Sequence, residues 1–226
     1  MILKLKNRMK QARNLLLLVS KIHNIINFNN SWKYRIKNNI KLEGSFLKKT
    51  KFNIKGHNNT VIIGEKARLT NCEIVIIGNN CKIEIGTGST IISNTVLWCQ
   101  DDNSTINIGN DFTMEGGHIA STEGELIRIG NDCMFSGEIE IRNGDSHSMV
   151  DNLTKQRLNH AKPVFIGNHV WLTANVKVLK GASIPSNSII GNSSIVSKKL
   201  CCENAVYAGI PCKIVKENMN WDRQKL

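Results

Sequence analysis

Aliphatic residues recur every six positions through the last third of the chain, at Ile166, Leu172, Val178, Ile184, Ile190 and Val196. Small or β-branched residues follow most of them by four positions, at Val170, Val176, Ala182, Ser188 and Ser194. A helical period of 3.6 residues cannot produce a six-residue spacing, whereas short strands separated by regular corners can. The pattern predicts a solenoid in which each coil contacts mainly its neighbours.

The same hexad occurs upstream with wider spacing, as IGEKAR, IGNNCK, IGTGST, IGNDFT and IGNDCM, which begin at residues 63, 77, 85, 108 and 129. In each, an aliphatic residue points inward and glycine or asparagine takes the turn. Aromatic residues make up only 5% of the chain, which suits a narrow core of Ile and Val. Hexapeptide repeats of this kind predict an all-β fold, a parallel β-helix.

The N-terminal segment differs from the repeat in pattern and in charge. Leu15, Leu18, Ile22, Ile25 and Ile26 recur at helical intervals, which predicts an amphipathic helix. Residues 1–55 hold fourteen Lys and Arg and one acid, a net charge of +13, so with +12 in total the remaining 171 residues sum to −1. Two interpretations stay open: a cap over the first coil, or a basic patch that contacts anionic lipid or a polyanionic acceptor. No nucleic-acid recognition motif is present, so no nucleic-acid partner is expected.

Seven cysteines without a CxxC pair indicate reduced packing residues and a cytosolic protein. The run NLLLLV is too short to span a bilayer and is not followed by a small-residue cleavage site.

Over roughly residues 50–220 the chain resembles the hexapeptide-repeat acyltransferases. The resemblance implies a left-handed parallel β-helix and a homotrimer. We expect a basic, partly helical segment at 1–50, the β-helix at 51–200 and a C-terminal extension at 201–226. In that extension the sequence NMNWDRQ is expected to form a short helix anchored by Trp221.

The repeat is interrupted between Arg142 and Pro163. Ile129, Phe135 and Ile141 continue the ladder, but position 147 holds histidine where an aliphatic residue is due. Loops that break a rigid scaffold commonly carry function. Imidazole can remove a hydroxyl proton near neutral pH, as transfer of an acyl group from a thioester to a hydroxyl requires, while a backbone N–H stabilises the oxyanion.

The segment GDSHSMVD, residues 144–151, resembles the catalytic loop of bacterial polysaccharide O-acetyltransferases, and the resemblance makes His147 the general base. Asp145 would orient the imidazole or shape the turn. Arg157 and Asn159 match a further part of that motif and are expected to contact the acceptor or a neighbouring subunit. Trp171 follows His147 by 24 residues, as in the family, where the matching tryptophan lies at the donor–acceptor site; a trimer contact is the alternative.

The other histidines suggest two further roles, a second residue in the cleft and a zinc ligand. His118 could reach the same cleft from another coil. A zinc site would need three histidines such as His118, His147 and His160, but their spacing does not demand one, and no metal is expected.

The resemblance also places coenzyme A on the outer wall of the C-terminal coils. The matching positions are Ala174, Gly191, Asn192, Ser197 and Lys198, and the basic positions that follow them are Lys213 and Lys216. Thr173 and Asn192 replace the family's usual Gly and Ala.

Together these features predict a cytoplasmic acetyl-CoA-dependent O-acetyltransferase that acts on a sugar hydroxyl of a surface polysaccharide or its precursor. Its trimer would form active sites between subunits, and the basic N-terminus would contact the inner face of the membrane or only cap the solenoid. An acetyltransferase for an amino sugar or a small molecule such as a drug is the first alternative, and a metal-binding or non-enzymatic β-helix is the second.

Overall fold

The computed structural model describes residues 2–27, 30–42 and 44–226. The described chain opens with helix α1 (Ile2–Ile26) and a short 3₁₀ helix, η1 (Ser31–Tyr34). Twenty-three short strands follow, arranged as three sheets that form the faces of a prism. Each of seven successive coils contributes one strand to each sheet, so the predicted parallel β-solenoid is confirmed.

Sheet A consists of β1 (Asn39–Lys41), β4 (Thr60–Ile63), β7 (Lys82–Ile85), β10 (Thr105–Ile108), β13 (Leu126–Ile129), β16 (Val164–Ile166) and β19 (Ser183–Ile184). Sheet B consists of β2 (Phe46–Lys48), β5 (Arg68–Thr70), β8 (Thr90–Ile91), β11 (Thr113–Met114), β14 (Met134–Phe135), β17 (Trp171–Leu172), β20 (Ile189–Ile190), β22 (Ala205–Ala208) and β23 (Lys213–Glu217). Sheet C consists of β3 (Lys51–Lys55), β6 (Cys72–Ile77), β9 (Thr95–Gln100), β12 (Gly117–Ser121), β15 (Ile139–Arg142), β18 (Lys177–Val178) and β21 (Ile195–Val196).

The inward aliphatic residues stack in register from coil to coil. In sheet A, Ile83 pairs with Ile106, Ile106 with Ile127 and Ile127 with Val164, and all four are fully buried. The glycine of each IG pair lies against the next coil: a Cβ on Gly130 would come within 2.5 Å of the Gly167 carbonyl oxygen. The repeat therefore encodes both the core column and the close approach of backbones at one corner.

Asparagine side chains on α1 and beside η1 cover the open end of the first coil. The Asn24 amide donates to Ser45 O at 2.9 Å and accepts from Leu47 N at 2.8 Å. The Asn30 amide makes the same two bonds with the O and N of Phe52, at 2.8 and 2.7 Å. These amides take the place of a strand that would otherwise pair there, which protects the sheet edges as the capping interpretation predicts.

The sheets begin at Asn39, ahead of residue 51 where the sequence analysis starts the β-helix, and extend past residue 200 to Glu217. Among the described residues, no helix combines the length and apolar character needed to cross a bilayer.

The expected C-terminal helix is wrong. Residues 201–226 form β22 and the antiparallel β23, and an irregular tail then crosses the outside of sheet B. Polar contacts hold this tail: Trp221 Nε1 donates to His169 O at 2.9 Å, and Arg223 Nε donates to Asp132 Oδ1 at 2.9 Å. Trp221 is buried and stacks on the His169 ring, so its predicted anchoring role is confirmed without a helix.

Candidate active site

The interruption of the repeat forms an arm between β15 and β16, at the corner where sheet C passes into sheet A. Its two sides pair as a short hairpin: Val150 and Arg157 form an antiparallel bridge, and Leu158 N donates to Met149 O at 2.8 Å. At the tip, Asp151 Oδ1 accepts from the backbone N–H groups of Leu153 and Thr154 at 2.9 and 2.7 Å. The arm is therefore an ordered element with its own hydrogen bonds.

A groove of about 730 Å³ lies between the base of the arm and the outer face of sheet C. Its floor comes from neighbouring coils, through Trp98, His118, Ala120 and Arg142. The arm contributes His147 and Arg157, and the corner turns contribute Asp101 and Glu123. His147 is exposed here, and no side-chain hydrogen bond of its ring is found within the described part of the chain.

Asn159 holds the segment that carries His147. Its Nδ2 donates to His147 O and to Asp145 Oδ2, both at 2.7 Å, and its Oδ1 accepts from Met149 N at 2.7 Å. One buried amide thus fixes residues 145, 147 and 149 together. Asn159 is only 7% exposed and its side chain is engaged within the arm, whereas the sequence motif had suggested contact with the acceptor or a neighbouring subunit.

Lys180, at the next passage from sheet C to sheet A, joins the same network. Its Nζ hydrogen-bonds Asp145 Oδ2 and donates to Asn159 O at 3.0 Å. The hydrogen bonds from Lys180 and then from Asn159 lower the pKa of Asp145. Among the described residues, the Asp145 carboxylate bonds Asn159 and Lys180 and makes no hydrogen bond to the His147 ring.

His118 lies in the groove with His147. Its ring meets Trp98 edge to face at 6.2 Å, and its Nδ1 lies 3.5 Å from Arg142 Nη2. Burial lowers the pKa of His118, and the neighbouring Arg142 cation lowers it further, against the opposing effect of Glu140. The lowered pKa favours the neutral form of His118, in which one ring nitrogen can accept a hydrogen bond.

Arg142 forms an ion pair with Glu140, with 2.6 Å between its Nε and Glu140 Oε1. The geometry is not that of a hydrogen bond, so this Nε has no hydrogen-bond partner among the described residues.

Arg157 ties the far side of the arm to the preceding coil. Its Nη2 donates to Glu123 Oε1 at 2.5 Å, and Glu123 Oε2 accepts from Ala161 N at 3.2 Å. The hydrogen bond from Arg157 is the main cause that lowers the pKa of Glu123. Arg157 also lines the groove, where its contact with the acceptor or a neighbouring subunit stays a prediction, and its guanidinium group bonds Glu123 and Asn159.

Trp171 does not join the groove within one chain. It lies on the outer face of sheet B, half-buried beside Trp221, with ring centroids 6.3 Å apart. Its indole Nε1 is buried and has no hydrogen-bond partner among the described residues.

The residues expected to bind coenzyme A lie on later coils. Ala174, Gly191 and Asn192 follow β17 and β20 at the corner between sheets B and C, whereas Ser197 and Lys198 follow β21. Lys213 and Lys216 are exposed on β23. Gly191 is enclosed by its own chain, since a Cβ there would lie 2.9 Å from the Ala208 Cβ. The others are exposed on the later coils: Ala174 carries only a methyl group, whereas Asn192, Ser197 and the three lysines offer polar or cationic groups.

Sequence reasoning missed Trp98, Glu123, Arg142 and Lys180. Trp98 and Arg142 could have been found by comparing neighbouring coils of sheet C, because both are in register with Ala120 on β12. Glu123 could have been found in the same way, because it lies just after β12. No local signal marks Lys180, which meets Asp145 across 35 residues of chain. Within the described residues, no three His, Cys, Asp or Glu side chains cluster as metal ligands would.

Known proteins resemble this chain in sequence and in structure. No protein-family profile matches it. The polysialic acid O-acetyltransferase of Neisseria meningitidis is 38% identical over 176 residues, which cover 77% of this chain and 80% of that protein. The crystal structure of the polysialic acid O-acetyltransferase OatWY superposes with a TM-score of 0.80 at 37% identity, covering 84% of this chain and 89% of the other.

The polysialic-acid-specific acetyltransferase NeuO superposes with a TM-score of 0.67 at 27% identity, and 84% of each chain is covered. Identity of 38% across four fifths of a relative, together with a matching solenoid, shows common ancestry in sequence and fold alike. The chain therefore belongs to the family of hexapeptide-repeat O-acetyltransferases that includes the polysialic acid O-acetyltransferases.

Proposed function

We propose that this protein transfers the acetyl group of acetyl-CoA to a sugar hydroxyl of a surface polysaccharide or its precursor. The observation that carries the proposal is the exposed imidazole of His147, held over an open groove by an arm that Asn159 and Lys180 fix to the solenoid. The relatives named above act on polysialic acid, an acidic glycan, which supports a polymeric saccharide as the acceptor.

The chemistry requires one base. His147 removes the proton of the acceptor hydroxyl as its oxygen attacks the thioester carbonyl carbon. Collapse of the tetrahedral intermediate breaks the carbon–sulfur bond, and the imidazolium returns the proton to the departing thiolate. The products are the O-acetyl ester and free coenzyme A, and His147 is neutral again.

His118 and Trp98 supply a binding surface for the sugar. The flat face of an indole packs against the apolar face of a pyranose ring, and a neutral imidazole offers one donor and one acceptor to hydroxyl groups. Both side chains lie on the groove floor with Arg142, so the acceptor would bind along sheet C with one hydroxyl directed to His147. We assign acceptor binding to these three residues together with Arg157.

The active unit in this proposal is a homotrimer with sites between subunits. His147 stands at the corner between sheets C and A, whereas Trp171 lies on sheet B and Lys198 follows the last strand of sheet C. One chain does not assemble the acceptor base and the donor residues, and a second copy could supply the missing half. Ala174, Asn192, Ser197, Lys198, Lys213 and Lys216 would then hold acetyl-CoA, the lysines pairing with its phosphates as point charges.

The donor and the free thiols support a cytoplasmic location. The described residues include all seven cysteines, and each is free. Burial raises the pKa of Cys72 and of Cys133 to about 12, which marks these thiols as packing residues rather than nucleophiles.

Acetyl transfer to defined acceptors tests the proposed function. The protein is incubated with acetyl-labelled acetyl-CoA and, separately, with polysialic acid, a neutral polysaccharide, an oligosaccharide and a small aminated drug. Label that enters a polysaccharide and is released by mild alkali, as an ester is, supports the proposal. Label found only on the amine would favour the small-molecule alternative and overturn it.

A further inference from the structure

Helix α1 turns an apolar face away from the protein. Its large aliphatic side chains at one-turn spacing are exposed by 45 to 63%: Leu15, Leu18, Val19, Ile22 and Ile25. Ile26, at the end of the same face, is 70% exposed. These six residues define the apolar stripe of α1, which occupies a single side because three- and four-residue steps return to one face of a helix.

The opposite side of α1, which meets the solenoid, combines polar side chains with the half-buried Leu16 and Leu17. Ser20 is buried, and its Oγ accepts from Gly44 N at 3.1 Å. Asn24 bonds the edge of β2, and Arg13 forms an ion pair with Glu65 at 2.6 Å. A helix that served only to cap the first coil would bury most of its aliphatic side chains there, yet here Leu16 and Leu17 are only half-buried and the six aliphatic side chains of the stripe face outward.

The charge around the stripe is almost entirely positive. The sequence of α1 contains six Lys and Arg residues and no Asp or Glu. Exposed cations continue on η1, on the segment that follows it and on the first coil, at Lys33, Arg35, Lys37, Lys41, Lys48, Lys49, Lys51 and Lys55. Arg13 is the one cation among these for which an ion pair is found in the described part of the chain.

We propose that this face binds the surface of an anionic lipid bilayer, with the apolar stripe of α1 inserted at the level of the headgroups. A basic helix with exposed aliphatic residues combines the apolar and electrostatic contributions on which interfacial helices depend. Trp32 and Ile36 extend the apolar surface at the same capped end, where they are 66% and 95% exposed, and tryptophan favours the membrane interface.

A second copy of the helix is the less suitable occupant. Joining two or three copies along the stripe would bring Lys and Arg side chains near one another, and α1 has no carboxylate to offset them. A bilayer instead supplies both the apolar medium and the negative charge. The groove that holds His147 lies on later coils, which leaves it open to a glycan while the capped end rests on the membrane.

Sedimentation of the full chain with vesicles tests this inference, with no acetyl donor or acceptor present. The vesicles contain phosphatidylcholine alone or with about 30 mol% phosphatidylglycerol, an anionic lipid. We expect binding to the anionic vesicles at about 0.1 M salt, weaker binding at about 0.5 M salt, and little binding to phosphatidylcholine alone.

Two variants separate the apolar contribution from a general loss of structure. The pair Leu18→Gln and Ile22→Gln keeps the charge and lies away from the solenoid, and we expect its partition coefficient to fall by about tenfold or more. The matched control, Leu153→Gln with Leu158→Gln, alters two exposed leucines on the arm and should bind vesicles like the wild type.

Unchanged vesicle binding by the double variant Leu18→Gln/Ile22→Gln, or no vesicle binding by the wild type, would overturn the inference. If this double variant forms a smaller oligomer than the wild type, and the wild type does not bind vesicles, the apolar stripe would instead be a contact between copies of the chain. Because acetyl transfer is measured separately on soluble acceptors, failure here is distinguishable from failure of the proposed function.

Discussion

At the residue scale, His147, the proposed base, depends on Asn159 more than on any direct partner of its ring. A single amide contacts residues 145, 147 and 149, so it sets the backbone from which His147 projects. The sequence motif suggested His147 as the base, and it included Asn159 as a residue expected to contact the acceptor or a neighbouring subunit. It could not show that Asn159 is buried and engaged within its own arm, because that depends on how the hairpin folds back.

Replacing this amide should slow catalysis while the solenoid stays folded. We expect Asn159→Ala to reduce kcat about 10- to 100-fold, because the N–H of Met149 and the carbonyl of His147 lose their partner. The loss of stability should be about 1–3 kcal/mol, measured by denaturant unfolding. Asn152→Ala, at the exposed tip of the same arm, is the matched control and should leave kcat within about twofold of the wild type. Equal rates for Asn159→Ala and wild type would contradict the positioning role.

The pKa of His118 provides a second test at this scale. Burial is the main cause that lowers it and the Arg142 cation the next, so Arg142→Gln should raise the pKa of His118. NMR titration of the imidazole would measure the change. Arg128→Gln, on the exposed side of sheet A, should leave the titration unchanged. A lower or unchanged His118 pKa in Arg142→Gln would show that Arg142 does not act on it.

At the scale of elements, the arm is fixed at both of its bases. Lys180 holds the Asp145 side from the next coil, and Glu123 holds the Arg157 side from the preceding one. The excursion thereby joins three coils of the solenoid.

The contribution of Lys180 should depend on pH in a defined direction. The pKa of Asp145 is lowered in the folded protein, so its stabilising effect is present above the ordinary aspartate pKa of about 4 and is lost as the pH falls through the lowered value. Near pH 7, Lys180→Met should increase hydrogen exchange at Met149 and Leu158, whereas Lys155→Met at the tip should not. The difference between Lys180→Met and wild type should shrink once Asp145 is protonated. Equal exchange near pH 7 would refute the anchoring role.

Elements built from the repeat could be predicted from the sequence, because each hexad carries its own inward residue, corner and turn. The C-terminal helix was wrong because the side chains of NMNWDRQ find partners in the turns that lead into sheet B, through Trp221 on His169 and Arg223 on Asp132. The arm was predicted as a loop, and its hairpin was missed. The residues around its bridge between Val150 and Arg157 show no alternation of apolar and polar side chains from which a hairpin could be predicted.

At the scale of the whole molecule, the separation of His147 from Trp171 is the main structural argument for a shared site. The first lies in the groove on sheet C, and the second lies on sheet B beside the C-terminal tail. The repeat indicated the solenoid, but its period carries no information about which faces of different copies contact one another. The family resemblance alone suggested the trimer.

Mixed subunits test the shared site. His147→Ala and Trp171→Ala proteins should each be nearly inactive alone. When they are co-expressed with different tags and purified together, one interface of each mixed trimer would join an intact His147 to an intact Trp171. We expect about a third of wild-type activity from such trimers. No recovery in mixed trimers would contradict a site completed by a neighbouring subunit.

The central claim is that His147 is the base for acetyl transfer, and initial-rate measurement on His147→Ala tests it most directly. Release of free coenzyme A thiol is followed at saturating acetyl-CoA with the polysaccharide that accepts label. The account predicts a rate lowered by about 10²- to 10⁴-fold, with acetyl-CoA binding and thermal unfolding unchanged, since the ring has no bonded partner among the described residues. His160→Ala, an exposed histidine on the same arm, should retain the wild-type rate. Full thiol release by His147→Ala would contradict the claim.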